Sequence, residues 1–110
     1  MSVALISPIA RLNDELRRTF TGGKIMMTAG INALPDNVKA KVLSAVRSFN
    51  EFTEDNDPHK EHDFGSFDVD GEKCFWKIDY YDLKMEGGSD NPADPAVTTR
   101  VLTIMLASEY

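Results

Sequence analysis

The sequence predicts an α+β domain, a small and largely antiparallel sheet packed against helices, and three observations predict it. Residues 8–20 and 35–49 place apolar side chains at helical spacing. Residues 63–69 and 72–81 read as strands joined by Asp70 and Gly71, a strong two-residue hairpin signal. A chain of 110 residues buries enough surface for one core, so residues 1–110 form a single domain.

In chain order the prediction is α-β-α-β-β-α. Ser7 and Pro8 suit the cap and first position of a helix whose stripe is Ile9, Leu12, Leu16 and Phe20, with Arg11, Asp14, Glu15 and Arg18 on the opposite side. Gly22 and Gly23 are expected to end it through a left-handed backbone. Residues 24–31, KIMMTAGI, suit a strand, with Gly30 at a bulge or a close approach. Pro35 and Asp36 open the second helix, whose stripe is Val38, Val42, Ala45, Val46 and Phe49.

Residues 50–61 contain Asn56, Asp57 and Pro58 and read as an ordered loop. The Asp70–Gly71 turn then sets a register with Val69 opposite Glu72, Phe67 opposite Cys74, Gly65 opposite Trp76, Asp63 opposite Ile78 and His62 opposite Asp79. Gly65 leaves room for the Trp76 indole. Residues 83–92 read as a second loop, and Asp94 with Pro95 as the start of a last helix over 97–107, apolar on more than one side.

Charge is unevenly distributed. Residues 51–94 hold 14 acidic residues and 4 lysines, whereas the rest of the chain holds 8 basic and 4 acidic residues. Such a field disfavours direct binding to nucleic acid phosphates or anionic lipid and favours basic partners. One cysteine, Cys74, rules out an internal disulfide framework, and the first residues lack the basic-then-apolar order of a secretory signal. No run reaches the length of a membrane span. A cytoplasmic protein without cofactor is expected.

Chemistry-bearing residues concentrate between Glu54 and Asp63. Glu54, Asp55, Asp57, His59, Glu61, His62 and Asp63 lie within ten positions, and His59, His62 and Asp63 are the alternative metal ligands, although their spacing matches no established motif. An EF-hand is excluded because Lys77 stands where calcium needs a bidentate acid. His62 with Asp79 is the most catalytic-looking pair, but no nucleophile stands beside it, and Cys74 reads as a core thiol. Phe64, Phe75 and Tyr81 share the sheet face opposite Trp76: either the first helix covers them, or they form an exposed aromatic and acidic patch.

The segments LNDELRRTF, TAGINALP, FTEDNDPHKEHDFGSF, FWKIDYYD and DPADPAVTTRVLTIMLASEY resemble a bacterial family described as a domain of unknown function, number 3768. Its members are small proteins, mainly alphaproteobacterial, often carried on plasmids, phages and integrated elements. The resemblance covers nearly the whole chain and implies no catalytic residue. Its mobile-element setting implies an accessory or counter-defence role.

Three functions follow as expectations. The first is a non-enzymatic acidic interaction protein, an inhibitor of anti-CRISPR or anti-restriction type that imitates phosphates toward a basic effector through Glu54, Asp55, Asp57, Glu61, Phe64, Phe75, Asp79 and Tyr81. The alternatives are a metal-dependent enzyme or module using His59 and His62, and a homodimeric regulator whose interface is the C-terminal helix. The first would act as monomer or homodimer.

Overall fold

The computed structural model describes residues 6–110. The expectation that the chain opens without a secretory signal rests in part on residues 1–5 and lies outside the described residues. Helix α1 spans Pro8–Thr19, strand β1 Lys24–Met27, a single-turn helix α2 Ala29–Asn32, and helix α3 Asp36–Ser48. Strands β2 (Phe64–Val69), β3 (Glu72–Tyr81) and β4 (Thr99–Leu106) follow, and a short 3-10 turn ends the chain at Ala107–Glu109. The predicted α+β class holds. Among the described residues, no helix is long and apolar enough to cross a membrane.

The four strands form one sheet in the order β1-β4-β3-β2, antiparallel except for the β1–β4 pair. The hairpin register is as predicted: Val69 faces Glu72, Phe67 faces Cys74 and Gly65 faces Trp76. Its turn residues, Asp70 and Gly71, both have positive φ (49° and 84°), the backbone that matches the twist of the flanking strands. The amide of Ile78 donates to the Asp63 carbonyl at 2.8 Å, extending the same register one pair further.

The segment expected to form a last helix is instead the central strand β4. Apolar residues on two sides of a segment fit a strand buried on both faces as well as a buried helix, and the β-branched Thr99, Val101, Thr103 and Ile104 favour the strand. Val101 and Met105 are buried on one face, Leu102 and Ile104 on the other. Asp94 does cap a turn, accepting from the Ala96 amide at 2.9 Å, but no helix follows. The segment expected to serve as a helical homodimer interface therefore lies between β1 and β3.

Two smaller differences have local causes. The strand predicted over 24–31 stops at Met27, where the chain turns into α2, and Gly30 is a point of close approach. The Glu109 carboxylate accepts from the Gly30 amide (2.9 Å), the Leu106 amide (2.9 Å) and the Thr28 hydroxyl (2.6 Å), and these three donors hold its pKa below the usual Glu range. At the end of α1 the left-handed residue is Phe20, φ 57°, ahead of the glycines. Its ring lies under the Arg47 guanidinium, 5.4 Å from the centroid, which favours that position for an aromatic side chain.

The core lies on one side of the sheet. Leu16, Ile31, Val42, Val46 and Phe49 from the helical layer meet Val69, Cys74, Trp76, Ile78, Leu102 and Ile104. Burial raises the Cys74 thiol pKa, with Glu72 and Asp68 adding to it, so the sulfur is a neutral core group as predicted. Phe64, Phe75 and Tyr81 sit on the other face, away from α1. They are half-buried, and Tyr110 packs edge-on against Phe64 and Phe75 at centroid distances of 6.1 and 5.4 Å.

Candidate functional site

The inner face of α1 is half polar. Ala10, Asn13, Asp14, Leu16 and Arg17 are its buried residues, so the helix is turned relative to the predicted stripe and Asp14 points inward rather than to solvent. Ser7 caps it as expected, accepting from the Ala10 amide at 3.1 Å.

Arg17 is fully buried against two aromatic rings, 5.4 Å from the Phe52 centroid and 5.2 Å from that of Trp76. Its Nη1 donates to the carbonyls of Val46 (3.0 Å) and Phe49 (2.7 Å), and Nη2 donates to Asp14 Oδ1 (3.0 Å). Those carbonyls are the open C-terminal end of α3, where helical donors run out and the dipole is negative. Desolvation lowers the Arg17 pKa, and Asp14 opposes that shift.

The loop over 50–63 is organised by its own side chains. Asn56 Oδ1 accepts from the Thr53 amide (2.8 Å), Asn56 Nδ2 donates to the Glu51 carbonyl (2.7 Å), and Asp57 Oδ1 accepts from the amides of Glu61 (3.0 Å) and His62 (3.2 Å). Lys60 and His62 both take positive φ of 55°, which turns the chain before β2 begins. The expected His62–Asp79 cross-strand pair is therefore not formed. The imidazole stacks flat on Phe52, 3.9 Å between centroids, with Nδ1 at 3.0 and 3.1 Å from the two Asp14 oxygens. Asp79 instead pairs with Lys77 at 3.1 Å, and this contact raises the Lys77 pKa.

A buried relay joins this loop to the second one. Arg100 Nε donates to Asn13 Oδ1 at 2.6 Å and its Nη2 donates to the Pro92 carbonyl, while Asn13 Nδ2 donates to the Glu61 carbonyl (3.0 Å) and to the Tyr80 hydroxyl (2.8 Å). Tyr80 in turn donates to Glu61 Oε2 at 3.1 Å. Burial pushes the phenol pKa far above its ordinary value, so Tyr80 stays a donor. The first loop enters β2, and the second joins the end of β3 to the start of β4. By the strand directions all three points lie at one end of the sheet. Residues 50–63 and 82–98 together carry ten acidic residues and two lysines. Folding therefore gathers most of the negative charge at that end.

Within this group the predicted residues have different environments. Glu54 and Asp55 are exposed; Asp57 is buried as a loop organiser; Glu61 is half-buried in the relay. Phe64, Phe75, Asp79 and Tyr81 lie on the sheet face away from α1, which also carries Asp68, Lys24, Lys73 and Lys77, whereas Glu54 and Asp55 belong to the loop before β2. His59 is exposed, and among the described residues no three His, Cys, Asp or Glu side chains gather as metal ligands. The His59–His62–Asp63 set is thus not assembled, because His62 is turned to Asp14. The sequence reading missed Asn13, Asp14, Arg17 and Arg100. An opposite-charge pair three residues apart beside Leu16 was the available signal for two of them.

Burial raises the Asp63 pKa, and the neighbouring Glu61 adds to it. A folded-state pKa above the unfolded one favours the protonated form, so this contribution to stability is full at acid pH and is lost as pH rises through the folded value. Asp63→Asn is expected to be more stable than the wild type at pH 7. In urea melts the gap should close below about pH 4, near the ordinary Asp pKa.

A family model described as a protein of unknown function (DUF3768) matches residues 27–109. The match begins at the end of β1, so Asn13, Asp14 and Arg17 lie outside it. No curated protein and no solved structure matches the chain.

Proposed function

The chain belongs to the DUF3768 family, and because membership carries no activity with it we propose from its own geometry that it is a non-enzymatic acidic interaction protein. The observation that carries this reading is the meeting of both acidic loops at one end of the sheet, tied through Arg100 and Asn13. A rigid group of carboxylates presents negative charge at fixed spacing, as a phosphate backbone does, and attracts a basic channel over about one Debye length, ~8 Å at physiological salt. The partner class is a nucleic-acid-binding effector such as a defence nuclease, whose basic channel the acidic end would occupy. That makes this an inhibitor of anti-CRISPR or anti-restriction type.

His62 has Asp14 on one ring nitrogen and the half-buried Phe52 ring stacked on one face, and among the described residues no serine or cysteine is hydrogen-bonded to it. The test uses exposed acids outside the hydrogen-bonded network. Glu54, Asp55, Glu86 and Asp90 reversed to lysine should retain the fold and weaken capture of a basic effector from the native host at least about tenfold at low salt. The same effector captured equally by both forms, with no dependence on salt, would count decisively against an electrostatic interface.

A further inference from the structure

Among the described residues, six large apolar side chains are exposed: Ile6, Met26, Leu83, Met85, Val97 and Tyr110. Leu83, Met85 and Val97 fall within residues 82–98, the second of the two acidic loops, and Ile6 borders the first across a cleft it lines with Phe52 and Thr53. Apolar exposure therefore concentrates in and beside the loops that hold the negative charge. A single exposed leucine is ordinary on a protein surface, whereas apolar residues set among polar ones mark a contact surface.

Leu83, 63% exposed, stands on a turn with little freedom. The chain reverses tightly after β3: Tyr81 bridges Gly88, the Ser89 amide donates to the Tyr80 carbonyl at 3.1 Å and the Asp82 amide to the Gly87 carbonyl at 2.9 Å. At the tip the Met85 amide donates to the Asp82 carbonyl (3.0 Å), and Asp82 Oδ1 accepts from the Glu86 amide (3.0 Å). Met85 takes φ 56°, a left-handed backbone that a methionine rarely adopts unless its surroundings impose it. The backbone entropy of holding Leu83 outward is lost on folding, so docking does not lose it again.

Charge selects the occupant. Asp82, Glu86, Asp90 and Asp94 are interleaved with the apolar residues, and Lys84 is the single cation between 82 and 98. That set repels a nucleic acid or an anionic lipid surface, and a protein pocket with aliphatic walls and a rim of Lys and Arg matches both features. We propose that Leu83 is the apolar anchor of the acidic end, entering an aliphatic pocket ringed by basic side chains on the partner protein. The proposal rests on the acidic-interaction reading for the partner and adds to it a contact that salt does not screen. Lys84, next to the anchor, opposes the basic rim, so its removal has a diagnostic sign.

A p-benzoylphenylalanine photoprobe placed at position 83 of the full chain and irradiated in native-host lysate is expected to form an adduct with the basic effector that the unmodified chain retains. The adduct should map to an apolar site beside Lys or Arg, and the same photoprobe at the exposed Ser44 on α3 should form none. Against that effector, purified, Leu83→Ser is expected to keep the wild-type urea midpoint and weaken binding at least about tenfold at both low and moderate salt. Leu83→Met should stay within about threefold of wild type, and Lys84→Ala should bind about two- to threefold more tightly. Wild-type affinity in Leu83→Ser, an equal adduct from position 44, an adduct with a second copy of this chain, or no retained effector would each overturn the assignment. If Leu83→Ser binds as wild type while reversal of Glu54, Asp55, Glu86 and Asp90 still weakens capture, the anchor falls and the acidic end stands. If Leu83→Ser weakens binding and reversal does not, the electrostatic reading falls, and with it the basic rim of the pocket.

Discussion

Arg17→Ala is expected to cost about 3–5 kcal/mol in urea unfolding, the range seen when one partner of a buried ion pair is removed. Small domains have about 5–15 kcal/mol in total, so the variant would sit near the edge of folding. Three groups lose a donor at once: the Asp14 carboxylate and the carbonyls of Val46 and Phe49. Two aromatic rings, Phe52 and Trp76, lose the guanidinium packed against them. Arg17→Lys should recover little, because an ammonium cannot span the two carbonyls and the carboxylate as the guanidinium fork does. A loss below about 1 kcal/mol in Arg17→Ala would show that the groups around Arg17 relax without it.

Gly65→Ala is the second large effect. A Cβ there would stand 2.2 Å from Trp76 Nε1, 2.6 Å from Trp76 Cε2 and 2.9 Å from Phe49 Cζ. Both neighbours are rings in a buried cluster, packed edge-to-face at 5.5 Å, so neither can swing aside as a flexible chain would. The expected loss is about 3 kcal/mol, at the upper end for overpacking, with a fall in Tm of roughly 10–15 °C by calorimetry. Trp76→Phe introduced into Gly65→Ala should recover part of it, since the smaller ring vacates that space. A double-mutant cycle measures the coupling. The same contact explains the indole nitrogen, which is buried without a hydrogen-bond partner because it lies against the glycine backbone.

What the sequence revealed depended on how local the signal was. The hairpin register was legible from Asp70–Gly71 and from the fit of Gly65 to Trp76, since a two-residue turn leaves the pairing no freedom. The helices over 8–20 and 35–49 were legible from caps and stripes. The β4 segment was not, because a strand between two others is apolar on both faces and its period of two is hidden. Nor was the polar network: Asn13, Asp14, Arg17 and Arg100 look like surface residues until tertiary contacts supply their partners. His62 was placed one element wrong for the same reason, since its positive φ follows from Asp57 holding the loop amides.

The position of β4 also bears on the order in which the protein can assemble. The β2–β3 hairpin closes through two residues, whereas β1 finds its strand partner near the far end of the chain, Lys24 beside Val101 and Met27 beside Ile104. Closing so long a loop costs chain entropy before any parallel pairing repays it. On a ribosome the first 98 residues would contain a hairpin and helices without the strand that joins them, leaving the inner edges of β1 and β3 unpaired. The sheet is completed from its centre, and completed late.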